Sequence, residues 1–323
     1  MLAGDFRQTL PVLPKSNIAG ILENCIFRSP LWRHVTHLDL TQNVRADESE
    51  TEFKEWLLQL GNGTLRSSHP NSVRGQIDVP SQCRLTANVV ESVFPDFSVD
   101  RSKSVIVTPL NDDADRLNDR ILTVFDCDAP VTEYRSIDTV VEDESNQICQ
   151  VTTEFLNSLT PSGMPPHRLR LKPGCSVMLI RNLDSSKGLC NGTRLRVVSL
   201  GTNVIEVCVI SGNDKFTGKH AFIPRVKLIP SDTALPFKFQ RIQFPLKLAY
   251  CLTINKSQGQ EFETVGIYLP APVFSHGQLY VAFSRAKRFS SVFLQINDSA
   301  HQCMDKKNQE ARTVNVVHSF RTR

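Results

Sequence analysis

The residues best suited to chemistry lie in one polar run, TINKSQGQE, from Thr253 to Glu261, where hydroxyl, amide, ammonium and carboxylate groups crowd together. Groups of this kind, with the backbone N–H groups of a turn at Gly259, can grip phosphate and sugar oxygens. A solvated connection of the same composition is the plain alternative, because surface turns favour these residues. The run is apolar on both sides, with Leu246, Leu248, Ala249, Tyr250, Cys251 and Leu252 before it and Val265 to Leu269 after it. Two buried strands joined by a polar turn are the expected frame, at the edge of an α/β sheet where ligands collect.

Other elements must hold that turn in place. Ser104 to Pro109, SVIVTP, reads as a buried strand, and Asn111 can cap a following helix whose Ala114, Leu117 and Ile121 share a face. Ser275 and Gln278 have capping-box spacing ahead of a helix lined by Leu279, Ala282, Phe283 and Ala286, with Arg285 beside the apolar face. A second capping box, Ser49 and Glu52, precedes Phe53, Trp56, Leu57 and Leu60, and Gly61 is the expected stop. Val35 to Leu40 alternates as a half-buried strand does and leads to Asn43 and Arg45. Residues 64 to 80 read as a loop, and the Glu142, Asp143, Glu144 run as a solvated turn. From 168 to 230, short β-rich runs (Ser176 to Arg181, Arg194 to Leu200, Val204 to Ile210, Phe222 to Leu228) alternate with Asn and Gly turns, the pattern of a small antiparallel barrel.

With 37 basic and 33 acidic residues, the net charge of +4 permits nucleic-acid binding without arguing for it. Forty per cent of the residues are hydrophobic, yet no apolar run reaches the roughly 18 residues of a membrane span. The start of the chain has no signal-peptide pattern, so an intracellular setting is expected, nuclear in a eukaryote, with no membrane partner. Nine cysteines include no C-x-x-C pair, which argues against a zinc site or a disulfide framework, and no metal ligands are assigned.

The motifs, taken in order, carry a resemblance. GDFRQTLPV at residues 4–12, the NVR ending at Arg45, TINKSQGQEF and HGQLYVAFSRA resemble motifs III to VI of superfamily 1 helicases in order and spacing, and VTPLNDDADRLNDRIL resembles the first strand and helix of their second RecA-like domain. The likeness is greatest to the Pif-type (superfamily 1B) DNA helicases and the helicase halves of Helitron transposon proteins. LRLKPGCSVMLIRNLD with GLCNGTRLRV resembles the SH3-like insert of the same group, and FQRIQFPLKLAY its approach to motif V. The resemblance implies an α/β fold: a RecA-like second motor domain (101–165 and 233–297) with an SH3-like β-barrel insert (166–232). Residues 1–100 are then a partial first RecA-like domain, and 298–323 a tail expected to be disordered.

By the same resemblance Arg45 and Arg285 are the catalytic arginines that stabilise charge on the γ-phosphate, and Gln8, Gly259, Gln260 and Glu261 bind nucleotide. Thr253, Asn255, Lys256 and Ser257 bind single-stranded DNA, helped by backbone contacts from Arg168, Arg170, Lys172, Arg181, Arg194 and Arg196 of the insert. The cofactors implied are ATP and Mg²⁺, and the activity is 5′-to-3′ DNA unwinding. Two departures stand out: Asn255 occupies a place where many helicases carry His, and Gln240 one where Arg is usual. These 323 residues also contain no Gly-Lys-Thr or Gly-Lys-Ser phosphate loop, since Gly218-Lys219 is followed by His220. The resemblance therefore implies a piece that begins midway through its first motor domain and is completed by an N-terminal helicase region. A non-enzymatic DNA-binding protein, or a decayed transposon remnant, is the alternative.

Overall fold

A computed structural model describes residues 3–318, apart from 11–12, 14–15, 41, 71, 98–99, 126–129, 142–150, 212–214, 231–234 and 306. The acidic run at Glu142 lies outside the described residues. In chain order the first elements are α1 (Ile18–Glu23), α2 (Thr51–Asn62), β1 (Gln76–Asp78), β2 (Arg84–Leu85), α3 (Val89–Val93), β3 (Ser104–Thr108) and α4 (Asn111–Val124). A β-rich stretch follows: β4 (Thr132–Arg135), β5 (Ile137–Val141), α5 (Thr153–Ser158), β6 (Arg168–Leu171), β7 (Ser176–Leu179), β8 (Arg194–Leu200), β9 (Val204–Val209), β10 (His220–Pro224), β11 (Val226–Leu228), β12 (Lys238–Gln243) and β13 (Leu246–Leu248). The last elements are β14 (Cys251–Thr253), β15 (Thr264–Leu269), α6 (Gln278–Phe283), β16 (Val292–Ile296), β17 (Cys303–Asp305) and β18 (Glu310–Val314).

Contacts divide the chain into two units, one of residues 1–96, 103–114 and 252–323, the other of 97–102 and 115–251. The first unit is built on a sheet ordered β14-β3-β15-β16-β2, in which β3, β15, β16 and β2 run parallel. All five residues of β3 are buried, as its β-branched sequence predicts. Gly266 in β15 lets α3 lie close on the sheet, because a Cβ there would sit 2.6 Å from Val89 and 2.7 Å from Val93. Helix α6 buries Leu279, Ala282 and Phe283 as expected, and Trp56 of α2 meets Phe283 edge-on at 4.9 Å.

Several expectations are corrected in this unit. Glu50, not Ser49, is the N-cap of α2 and makes no side-chain capping bond; Gly61 is buried inside the helix, and the C-cap is Gly63 in a left-handed conformation. At the start of α6 half of the capping box forms: Gln278 Oε1 accepts from Ser275 N at 3.1 Å. No strand forms at Val35 to Leu40, where Leu38 is 85% and Leu40 97% exposed: alternation makes a strand only where a sheet edge is present to pair with it. The loop expected at 64–80 contains β1, and the tail expected to be disordered contains β17 and β18, which pair antiparallel with each other while β18 also pairs with β1. The distant pairing of β1 with β18 and the local β17–β18 hairpin both escaped those assignments.

The second unit is antiparallel throughout its described pairings, with sheets β10-β9-β8-β7-β13, β11-β12-β5 and β4-β6. Strands β7 to β11 match the runs read from sequence to within a few residues, although Phe222 to Leu228 is split between β10 and β11. Residues 166–232 lie within this unit, together with 97–102, 115–165 and 233–251. Residues 1–96 share a unit with the TINKSQGQE turn, and β2 and α3 pack on its parallel sheet.

Candidate nucleotide and DNA interface

From β14 the chain enters a 3-10 turn, Ile254–Ser257, and reverses at Gly259 with φ of 81°. Ser257 is wholly buried, its hydroxyl donating to Ile254 O at 2.7 Å, and Thr253 is buried as well. Lys256 is exposed and its Nζ donates to Asn111 Oδ1 at 3.3 Å; half-buried Asn255 accepts from Gln278 Nε2 at the same distance. Of the four residues expected at DNA, Asn255 and Lys256 reach the surface of the turn, whereas Thr253 and Ser257 shape it.

Arg285 is completely buried and held on four sides. Its Nε donates to Val281 O at 3.0 Å, Nη1 to Gln260 O at 2.7 Å and Ser257 O at 3.4 Å, and Nη2 to Ser284 Oγ at 2.9 Å. Burial first, and then the positive charge of Arg45, bring its pKa down to about 10. Arg45 itself is half-buried. Asn43 sets its backbone, with Oδ1 accepting from the N–H groups of Arg45 (3.0 Å) and Ala46 (3.2 Å), and Asp47 N donates to Lys287 O at 3.1 Å. Gln260 Nε2 donates to Lys256 O at 3.3 Å, and Glu261 pairs with Lys287 at 2.9 Å.

The segment around Gln8 packs against both of these motifs. Asp5 organises it: its carboxylate accepts from Arg7 N at 3.0 Å, Tyr280 Oη at 3.1 Å and Gln8 Nε2 at 3.4 Å. Burial, and then the negative charge of Asp5, push the Tyr280 hydroxyl up to about 12, so it stays a donor. Gln258 Nε2 donates to Gln8 Oε1 at 2.7 Å, while Gln258 Oε1 accepts from Thr9 Oγ1 at 2.8 Å. His276 Nε2 donates to Phe6 O at 2.8 Å, and its Nδ1 accepts from His318 N at 2.9 Å. Gly277, at φ 71°, is needed here because a Cβ would collide with Arg7 O and stand 2.7 Å from the Gln8 carbonyl carbon.

The basic residues expected at DNA in the β-rich unit are mostly committed elsewhere. Arg194 is a correction: it is buried, with Nη1 donating to Ser102 O at 2.5 Å and Nη2 to Ala249 O at 3.2 Å, and burial lowers its pKa to about 10. A guanidinium enclosed in this way cannot meet a DNA phosphate. Arg168 pairs with Glu133 (3.2 Å), Arg170 with Asp119 (2.8 Å) and Arg196 with Asp100 (2.6 Å); Lys172 donates to Phe125 O (3.2 Å), and Arg181 is half-buried. Among the described residues no cluster of three or more His, Cys, Asp or Glu is placed to hold a metal ion. No helix among them is long and apolar enough to cross a membrane.

Comparison with known proteins places this arrangement. Residues 1–71 match the PIF1-like helicase family, 154–200 the 2B domain of DNA helicase Pif1, and 248–293 the UvrD-like helicase C-terminal domain. Three separate segments, spanning both structural units, thus match helicase families in helicase order. In these segments the chain is similar to the Pif1-like helicases. Its similarity to the ATP-dependent DNA helicase PIF1 of Xenopus laevis is 27% identity across 90% of this chain and 40% of that protein. The ATP-dependent DNA helicase Pif1 of Bdellovibrio bacteriovorus is 30% identical across 58% of this chain and 38% of its own length. The chain therefore spans about two fifths of these Pif1 relatives.

Solved Pif1 helicases share the fold. The Bacteroides Pif1 structure in complex with ADP-AlF3 and ssDNA superposes with a TM-score of 0.61 at 22% identity, covering 92% of this chain and 62% of that one. Candida albicans Pif1 gives 0.57 at 23% identity, covering 92% and 64%. This is the RecA-like helicase fold, a mixed α/β architecture. Sequence reasoning found the Pif-type motifs but not how they interlock. Gln258 lies inside TINKSQGQEF, and His276 and Gly277 open HGQLYVAFSRA; an amide beside a turn glycine and a His-Gly pair at a helix start were the available signals.

Proposed function

We propose that this chain forms the second motor lobe, and the edge of the first, of an ATP-dependent helicase that moves 5′ to 3′ on single-stranded DNA. The observation that carries the reading is the Gln8–Gln258 hydrogen bond at 2.7 Å, which joins segments 250 residues apart in the same cluster that holds Arg285 and Arg45. The donor set suits a triphosphate: Arg45 is half-exposed, and Arg285 lies near enough to feel its charge. Positive groups so placed stabilise the charge that develops on a transferring phosphoryl group.

In this reading Gln8, Gly259, Gln260 and Glu261 line the nucleotide, and Arg45 reaches its phosphates. Arg285 holds the Ser257–Gln260 backbone and meets a phosphate only by leaving those carbonyls. The phosphate loop and the acidic pair that hold ATP and Mg²⁺ come from a first-lobe region outside these 323 residues. When bound, ATP supplies the free energy for movement. Lys256 and Asn255 contact the DNA backbone, and Thr253 and Ser257 keep their turn in shape. The antiparallel sheet β10-β9-β8-β7-β13 belongs to an SH3-like insert, a view supported by the Pif1 2B match at 154–200.

Titration of the protein with a single-stranded oligonucleotide over several salt concentrations tests the DNA part. Lys256→Ala should lower affinity and flatten the plot of log affinity against log salt by about one unit, while Asn255→Ala lowers affinity at unchanged slope. An unchanged slope in Lys256→Ala would contradict the role given to the turn.

A further inference from the structure

Gln258 is assigned neither a nucleotide nor a DNA contact above, yet its side chain joins the Gln8 segment to the DNA turn. An exposed glutamine ordinarily leaves its amide to water and keeps its rotamer freedom. Here both ends are engaged, Nε2 on Gln8 Oε1 at 2.7 Å and Oε1 by Thr9 Oγ1 at 2.8 Å. Its backbone belongs to the turn: Gln258 N donates to Asn255 O at 3.4 Å, and the neighbouring Lys256 O accepts from Gln260 Nε2 at 3.3 Å. The Gln8 segment is confined on its other sides by Asp5, Tyr280 and His276, so a shift of the Gln258 amide is felt first at the side chains of Gln8 and Thr9.

We infer that Gln258 is a positioning residue that links occupation of the Lys256 turn by DNA to the placement of Gln8. The inference rests on the function proposed above, in that the Lys256 turn is the DNA contact. A phosphate seated on Lys256 draws the 254–258 turn toward it, and the Gln258 amide carries Gln8 and Thr9 with it. Coupling of this kind requires a bonded element that both sites bias. Gln258 supplies it with two side-chain hydrogen bonds.

Hydrogen exchange of the peptide spanning residues 4–10, with and without a single-stranded oligothymidylate, tests the link in the chain as it stands. In the unsubstituted protein DNA should slow that exchange by about threefold or more, since local opening is what the added order suppresses. Gln258→Leu, which keeps length but removes both bonds, should abolish the response while leaving DNA affinity within about twofold. Gln258→Glu should restore it, because a carboxylate still accepts from Thr9 and a rotated Gln8 amide can donate to it. A response that survives in Gln258→Leu overturns the inference alone. If the unsubstituted protein binds no DNA, or binds it independently of Lys256, the proposed function fails and the inference fails with it.

Discussion

Arg285 donates from Nη1 to the carbonyl oxygen of Gln260 at 2.7 Å, so the arginine of the SRA run is tied to the main chain of the turn it would serve. With bonds to Val281, Ser257 and Ser284 as well, the guanidinium works as an internal brace, and Arg45 is the arginine with a solvent-facing side. Arg285→Ala leaves buried carbonyls without a donor and should cost about 3 kcal/mol of stability, read from urea denaturation. Arg285→Lys should recover little of it, because an ammonium cannot reproduce a planar fork of donors aimed in several directions. Full stability in both variants would contradict the bracing role.

Gly277→Ala should release the Gln8 segment. The new methyl would meet Arg7 O and Gln8 main-chain atoms in a left-handed backbone, a combination expected to cost about 1–3 kcal/mol. Faster tryptic cleavage after Arg7, with the parallel sheet still folded by circular dichroism, is the expected result.

In the β-rich unit the Arg241 guanidinium is fully buried and grips Asp138 with Nε–Oδ1 at 2.8 Å and Nη2–Oδ2 at 2.7 Å. Asp138→Asn leaves that charge uncompensated and should destabilise the protein by about 3–5 kcal/mol, whereas replacing both partners with apolar residues should cost less. Denaturant melts of the two variants compare them directly.

Mild acid should loosen the His276 junction. Burial holds the His276 ring below the usual 6.5, despite the nearby Asp5 carboxylate and the Phe6 carbonyl that favour its proton; His318 opposes protonation. The folded state thus takes up a proton less readily than the unfolded chain, so stability is fully present above about pH 6.5 and falls as pH drops below it. His276→Gln keeps a donor and an acceptor but does not titrate. Its stability should depend less on pH between 8 and 5.5 than that of the unsubstituted protein, measured by thermal melts.

What could be read from the residues follows from the range of the forces involved. The SVIVT strand and the Leu279, Ala282, Phe283 face are local patterns, and local pattern suffices where one face is apolar. Ser49 and Glu52 matched a capping box whose geometry the backbone does not adopt, and Val35 to Leu40 matched a strand with no sheet beside it. β1, β17 and β18 escaped notice because short polar strands show themselves only through their partners. Arg194 was expected at DNA and Arg241 was given no role, since nothing local tells that carbonyls or a carboxylate await them inside. The Gln258 bridge was invisible for the same reason: both residues were named within motifs, but their contact is 250 positions long.

The central claim is that these residues complete a DNA-driven ATPase whose phosphate loop lies on another lobe. It is tested most directly by measuring single-stranded-DNA-stimulated ATP hydrolysis by the chain alone and by the chain joined behind the first-lobe region of a Pif1 relative. The account predicts background hydrolysis from the chain alone, turnover in the joined protein, and a loss of about a thousandfold or more on Arg45→Ala with DNA affinity unchanged. Sustained turnover by the pure 323-residue chain, or a joined enzyme indifferent to Arg45→Ala, would contradict it.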